Sequence, residues 1–124
     1  MYKKLYNHIL EHGGATINAD TREHATYTQG FYVSLPGHEK KMPITEDEYI
    51  FEAYLERHIA RARHHNKNAQ GDDVHVGMWL NDIGEIVFDL TMLFKDRDYA
   101  LEAGRQFEQD AIFDIANNQV ISLK

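Results

Sequence analysis

Residues 8 to 12, His8-Ile9-Leu10-Glu11-His12, match H-x-x-E-H, a pattern that sets two imidazoles on one helical face with a carboxylate beside them and suits zinc hydrolysis. Enzymes built on it are far larger than 124 residues, and the sequence assigns no third ligand. An exposed helix end, with His12 complementing the dipole in the last turn, is the weightier reading. A zinc-dependent enzyme using His8, Glu11 and His12 remains one alternative. His38-Glu39-Lys40-Lys41-Met42 begins like the ordinary zinc-protease motif but has Met42 where the second histidine belongs, and it follows the turn residues Pro36-Gly37, so it is discarded.

A second candidate is basic. Arg57 and Arg61, with His64 or His65, fall roughly on one helical stripe that could hold a phosphate, a nucleotide or a nucleic-acid backbone. Compensation of the helix dipole and i,i+4 pairing explain the same residues without a ligand, and that reading carries more weight. The many aspartates show no calcium-loop spacing, and Asp96-Arg97-Asp98 reads as a helix N-terminus. The chain has no cysteine, no glycine-rich phosphate loop and no G-x-S-x-G elbow, so nothing nominates a catalytic triad. No metal or cofactor is expected.

These residues must be carried by something, and the stretch that organises the chain is Val74 to Met92, which reads as one β-hairpin. Asn81-Asp82-Ile83-Gly84 supplies side-chain acceptors for a type I turn and then a glycine for the positive φ of a G1 bulge. That loop places Leu80, Met78, Val76 and Val74 opposite Ile86, Phe88, Leu90 and Met92, putting eight apolar side chains on one face. The reverse face carries His75, Gly77, Trp79 and Asn81 against Thr91, Asp89, Val87 and Glu85. Asp89 faces a glycine there. Either a second layer packs on this face or it is a binding surface; packing is favoured because large aromatics are usually buried. A homodimer burying it would account for Trp79 equally well.

Around the hairpin, Tyr2 to His12 is a short amphipathic helix with Leu5, Ile9 and either Tyr2 or Tyr6 inward, stopped by Gly13-Gly14. Ala15 to Ala19 and Phe31 to Leu35 are strands, and Gly37 to Met42 is an exposed loop. Thr45-Glu46-Asp47-Glu48 is a capping box for a helix to about His65, with Phe51, Tyr54, Leu55, His58, Ile59 and Ala62 buried. Asn66 to Asp73 is a polar, mobile linker. A third helix from Lys95 or Asp96 to about Glu108 has a small-residue face of Ala100, Ala103, Gly104 and Phe107. Ala111 to Ile115 and Gln119 to Leu123 are strands joined at Asn117-Asn118. The order α-β-β-α-β-β-α-β-β implies one domain of α+β class, two layers, with helices mainly on one face of a largely antiparallel sheet.

The net charge of -7 lies entirely beyond residue 67, where four Lys/Arg meet eleven Asp/Glu. That imbalance argues against nucleic acid and for a basic partner. No stretch reaches membrane-spanning length and no secretory signal opens the chain, so a soluble cytoplasmic protein is expected.

The second half runs Gly77-Met78-Trp79, a turn, Ile86-Val87-Phe88-Asp89-Leu90, Asp96-Arg97 with Ala100 and Gly104-Arg105, then Gln109-Asp110-Ala111-Ile112-Phe113-Asp114. Together with Gly13-Gly14-Ala15-Thr16 and Gly30-Phe31-Tyr32-Val33-Ser34, this layout resembles small hypothetical proteins of bacteriophages and mobile elements. The resemblance covers most of the chain and implies a context, the host cytoplasm, with no assigned activity. The expectation is a non-enzymatic interaction protein, a phage accessory or anti-defence inhibitor, that meets a host protein through Trp79, Asp82, Asp89 and His75. A small-ligand binder using the Arg57 and Arg61 stripe is the other non-enzymatic alternative.

Overall fold

The computed structural model describes residues 2–45, 47–68 and 74–124. The central hairpin forms in the register its turn dictates. Gly84 takes φ 81°. Asn81 Oδ1 accepts from the Ile83 and Glu85 N–H groups at 3.2 and 2.8 Å. Val74, Val76, Met78 and Leu80 consequently pair with Met92, Leu90, Phe88 and Ile86.

The elements are α1 (Lys3–His12), β1 (Gly14–Asn18), β2 (Phe31–Ser34), β3 (Lys40–Pro43), α2 (Glu48–Asn68), β4 (Val74–Leu80), β5 (Glu85–Phe94), α3 (Arg97–Gln106), β6 (Ala111–Asp114) and β7 (Gln119–Ser122). The fold is α+β, with one seven-stranded antiparallel sheet in the order β1-β4-β5-β2-β6-β7. β3 also pairs with β5, on the same side as β2. β2 covers Thr91 to Phe94 and β3 covers Glu85 to Phe88.

β3 is a correction to the sequence reading, which made Gly37 to Met42 an exposed loop. Met42 pairs with Ile86 and is fully buried, while Lys40, Lys41 and Pro43 stay exposed. One apolar residue among two lysines and a proline carries no strand signal locally, and those residues suit an outer edge. The helix start is also shifted. Asp47 Oδ1 accepts from Tyr49 N–H at 3.0 Å, so Asp47 rather than Thr45 caps α2. Thr45 Oγ1 accepts from Asp47 N–H instead, and Glu46 lies outside the described residues. Helix α2 runs to Asn68. The rest of the expected linker, 69–73, also lies outside them.

All three helices pack on one face of the sheet. α1 and α2 close over the apolar hairpin face through Leu5, Tyr6, Ile9, Phe51, Leu55, Ile59 and Ala62. Phe88 is the centre of this layer, with ring centroids 5.6, 5.5 and 5.4 Å from Phe51, Tyr54 and His58. Tyr6 stacks on Phe51 at 5.0 Å and its hydroxyl donates to Thr45 O, so α1 is tied to the entry of α2. α3 covers the other end. Ala100 and Ala103 meet Val33, Phe94 and Ile112, and a Cβ on Gly104 would stand 2.7 Å from Leu123 and 2.9 Å from Ile112. The small-residue face therefore does what its composition implies, letting the helix approach the strands closely.

Replacing Phe88 by alanine removes a side chain touched by three aromatic partners and is expected to cost about 3–5 kcal/mol. Ile83→Ala, at a turn position 80% exposed, is expected to stay within about 0.5 kcal/mol of wild type. Urea unfolding of both variants checks the contrast; comparable losses would remove Phe88 from the centre of the core.

Candidate functional site

Among the described residues every helix lies on one face, so the reverse of the sheet carries no helical layer there. Its residues follow from the pairing: Thr16, Gly77, Asp89 and Thr91, with Tyr32 and Ser34 from β2 and Trp79 and Val87 toward the hairpin turn. At one end this face is covered by the chain itself. After Ala25 N–H donates to Thr16 O, the segment leading to Gly30 lies over the strands. Tyr27 packs edge-on against His75 at 5.5 Å, with its hydroxyl 3.4 Å from Nε2. His75 is 1% exposed.

The remainder is a groove of about 1160 Å³. Trp79 lines one side, residues of β6 and β7 such as Phe113 and Val120 line the other, and Gly77, Asp89, Thr91 and Ser34 lie between them. Trp79 is 47% exposed although its cross-strand partner Val87 is fully buried. The indole thus roofs Val87 and leaves part of its surface free. The favoured sequence reading, a second layer over Trp79, is not what the fold provides: α1 packs on the opposite face, against Ile17 and Val76.

Asp89 occupies a break in the sheet. Gly77 is directly opposite on β4. On the other side the ladder is interrupted, because β2 pairs as far as Thr91, β3 resumes at Phe88, and residues 35–39 loop out between them. Leu35 N–H donates to Leu90 O at 2.8 Å, and the chain then turns away. The loop is anchored from behind by His58, whose Nε2 lies 2.9 Å from His38 O and whose Nδ1 lies 2.8 Å from Tyr54 O. Asp89 accepts from Leu90 N–H at 2.9 Å and from the Ser34 side chain. Burial outweighs these bonds and, with repulsion from Glu39, pushes the carboxyl up to about 6. Burial also pushes the Tyr32 phenol up to about 12, with Tyr27 adding to it. Among the described residues the groove carries Glu39, Asp89, Glu108 and Asp110 and no Lys or Arg, and His12 of the H-x-x-E-H stretch also lines it. Asp110 meets Lys124 at 2.8 Å, in an exposed pair. Among the described residues no Lys or Arg forms an ion pair with Asp89.

Of the four partner-contact residues expected from sequence, Trp79 and Asp89 line the groove together. Asp82 is exposed at the hairpin tip outside the lining, and His75 is sealed beneath Tyr27, so it offers no surface to a partner. Tyr32, Ser34, Glu39 and Val120 were missed. Alternation puts Tyr32 and Ser34 opposite Phe31 and Val33, but which strand β2 joins is a non-local fact.

The basic stripe is divided. Arg57 and His64 are exposed, while half-buried His65 turns its Nε2 to within 3.3 Å of His38 Nε2. None of the four residues lines the groove. His8 and His12 stack at 4.4 Å and His24 comes within 4.7 Å of His8. Among the described residues no three acidic or imidazole groups converge on a metal position. A second hollow of about 750 Å³ holds Lys95, Arg97 and Asp114, so it mixes both signs where the main groove holds one.

No protein-family model, curated protein or solved structure matches the chain. No described helix is long and apolar enough to cross a membrane.

A carboxyl raised to about 6 from its ordinary 3.8 binds its proton more tightly folded than unfolded. Its contribution to stability is complete below pH 3.8 and is lost as pH rises through about 6. Asp89→Asn is therefore expected to stabilise the fold by roughly 1–3 kcal/mol at neutral pH and to have little effect below about pH 4. Melting curves across that range check it; equal stability of the two proteins at neutral pH would refute the assigned desolvation.

Proposed function

We propose that this is a non-enzymatic interaction protein that lays an extended, basic segment of a partner protein along the helix-free face of its sheet. The observation that carries the reading is the groove itself: an uncovered sheet surface with a half-exposed tryptophan and a lining that holds four carboxylates, no Lys or Arg among the described residues, and the imidazole of His12. A strand of partner chain matches such a surface in shape, and lysine or arginine side chains match it in charge. The resemblance to phage and mobile-element proteins makes a host protein the natural partner class, with the phage protein as accessory or inhibitor.

A second copy of the chain is a poorer occupant. A two-fold pair would lay one carboxylate-lined groove on another, and like charges brought together oppose association.

Trp79 is the only tryptophan, so its fluorescence reports occupancy of the groove directly. Titration with extended Lys/Arg-containing peptides is expected to change the emission saturably and in a salt-sensitive manner, while Asp/Glu-containing peptides leave it unchanged. Trp79→Ala, followed by calorimetry, is expected to weaken basic-peptide binding by about tenfold or more. Glu39→Lys with Glu108→Lys is expected to weaken it similarly, and Asp82→Lys to change it little. Equal response to acidic and basic peptides would overturn the reading. So would a fluorescence change that follows protein concentration alone, which would assign the face to self-association.

A further inference from the structure

We infer that the gap beside Gly77 is an anchor pocket for a single basic side chain of the bound segment, with Asp89 as its counter-ion and Trp79 as its wall. This inference rests on the protein-binding reading and adds to it the chemistry of one subsite.

Most glycines of the fold have a structural reason. Gly13, Gly30, Gly37 and Gly84 have positive φ, where other residues are strained. Gly14 and Gly104 are crowded, with a built Cβ falling 2.9 Å from Met78 O and 2.7 Å from Leu123. Gly77 is different among the described glycines. Its φ is not in the positive range, and a Cβ there would meet only Thr91 Cγ2, at an ordinary 3.8 Å. Glycine inside a strand weakens the strand and packs nothing. Neither the backbone nor the packing of this fold requires it.

What the missing side chain provides is space, and the space faces Asp89 across the ladder. The break between β2 and β3 leaves the other flank of that carboxylate without a paired strand residue. Asp89 is thus a half-buried acid with hydrogen bonds from Ser34 and Leu90, no cationic partner among the described residues, and an opening in front of it. Such a group lacks one thing, a positive charge. Trp79 lies two residues from Gly77 on the same strand face, diagonal to Asp89, a separation of roughly 7–8 Å that one long side chain spans. A lysine or arginine stem can lie along the free indole surface while its head reaches the carboxylate, which combines cation–π attraction with a charge-assisted hydrogen bond.

Gly77→Val tests this directly, because valine suits a strand and fills the gap while the Asp89 and Trp79 side chains are themselves left in place. The variant is expected to melt at or above the wild-type temperature yet bind the basic peptide at least about tenfold more weakly, with Gly77→Ala between the two. Replacing the basic residues of the peptide one at a time by norleucine should expose a single dominant position. As small probes, n-butylammonium and n-butylguanidinium chloride should shift the backbone amide signals of Gly77, Asp89 and Thr91 in wild type but not in Gly77→Val; the better of the two names the preferred head group.

Two outcomes separate this inference from the one beneath it. If Trp79→Ala abolishes peptide binding but Gly77→Val preserves it, the face binds protein and the pocket is wrong. If the small cations act at Gly77 and Asp89 and Gly77→Val abolishes their effect, yet no peptide binds, the pocket is right and the protein-binding reading falls. A Gly77→Val protein that binds both peptide and probes like wild type overturns the inference outright.

Discussion

The rest of the structure depends on the register of one antiparallel pair. Gly84 at positive φ closes a turn that admits a single alignment of β4 and β5, and that alignment decides which side chains share a face. A slip of one residue would turn Phe88 away from Phe51, Tyr54 and His58 and bring Asp89 into the layer beneath the helices. The cost of burying that carboxylate and losing the aromatic cluster is what makes the register unique.

From that choice follows the asymmetry of the molecule. One face of the sheet is closed by α1, α2 and α3, and the two apolar clusters beneath them form a continuous layer through half-buried Met92, which touches both. Among the described residues no helix lies on the opposite face, and the segment before β2 crosses one end of it, sealing His75 under Tyr27. What remains open carries Trp79, half-exposed, and Asp89, a carboxylate that the fold could have replaced at a gain in stability. A group that destabilises the protein holding it, beside a glycine without an internal reason, is the pattern expected where function competes with folding.

Legibility followed the range of the interactions. The hairpin, its turn, the buried stripe of α2 and the small-residue face of α3 were readable because each rests on neighbours within a few residues. β3 was not readable, because Met42 alone marks it and its reason to be extended is Ile86, more than forty residues away. The fate of Trp79 was misjudged for a similar reason. Its exposure depends on where α1 docks, and the amphipathic stripe of α1 states that it has an inner side without stating which surface that side meets. The i,i+4 spacing of His8 and His12 was evident from sequence, and the approach of His24 was not, since a strand and a turn intervene.

By itself, then, the sequence determined the local geometry and the two-sided character of the hairpin, since alternation and turn chemistry act between adjacent residues. It also determined that a glycine would stand opposite Asp89. Only the tertiary structure decided which side of the ribbon the helices would cover, that β2 and β3 would part beside Asp89, and that four acids from three separate stretches of chain would line one groove. Those outcomes depend on how elements distant in the chain share a limited apolar surface, and the competition for that surface is settled by packing the whole domain at once.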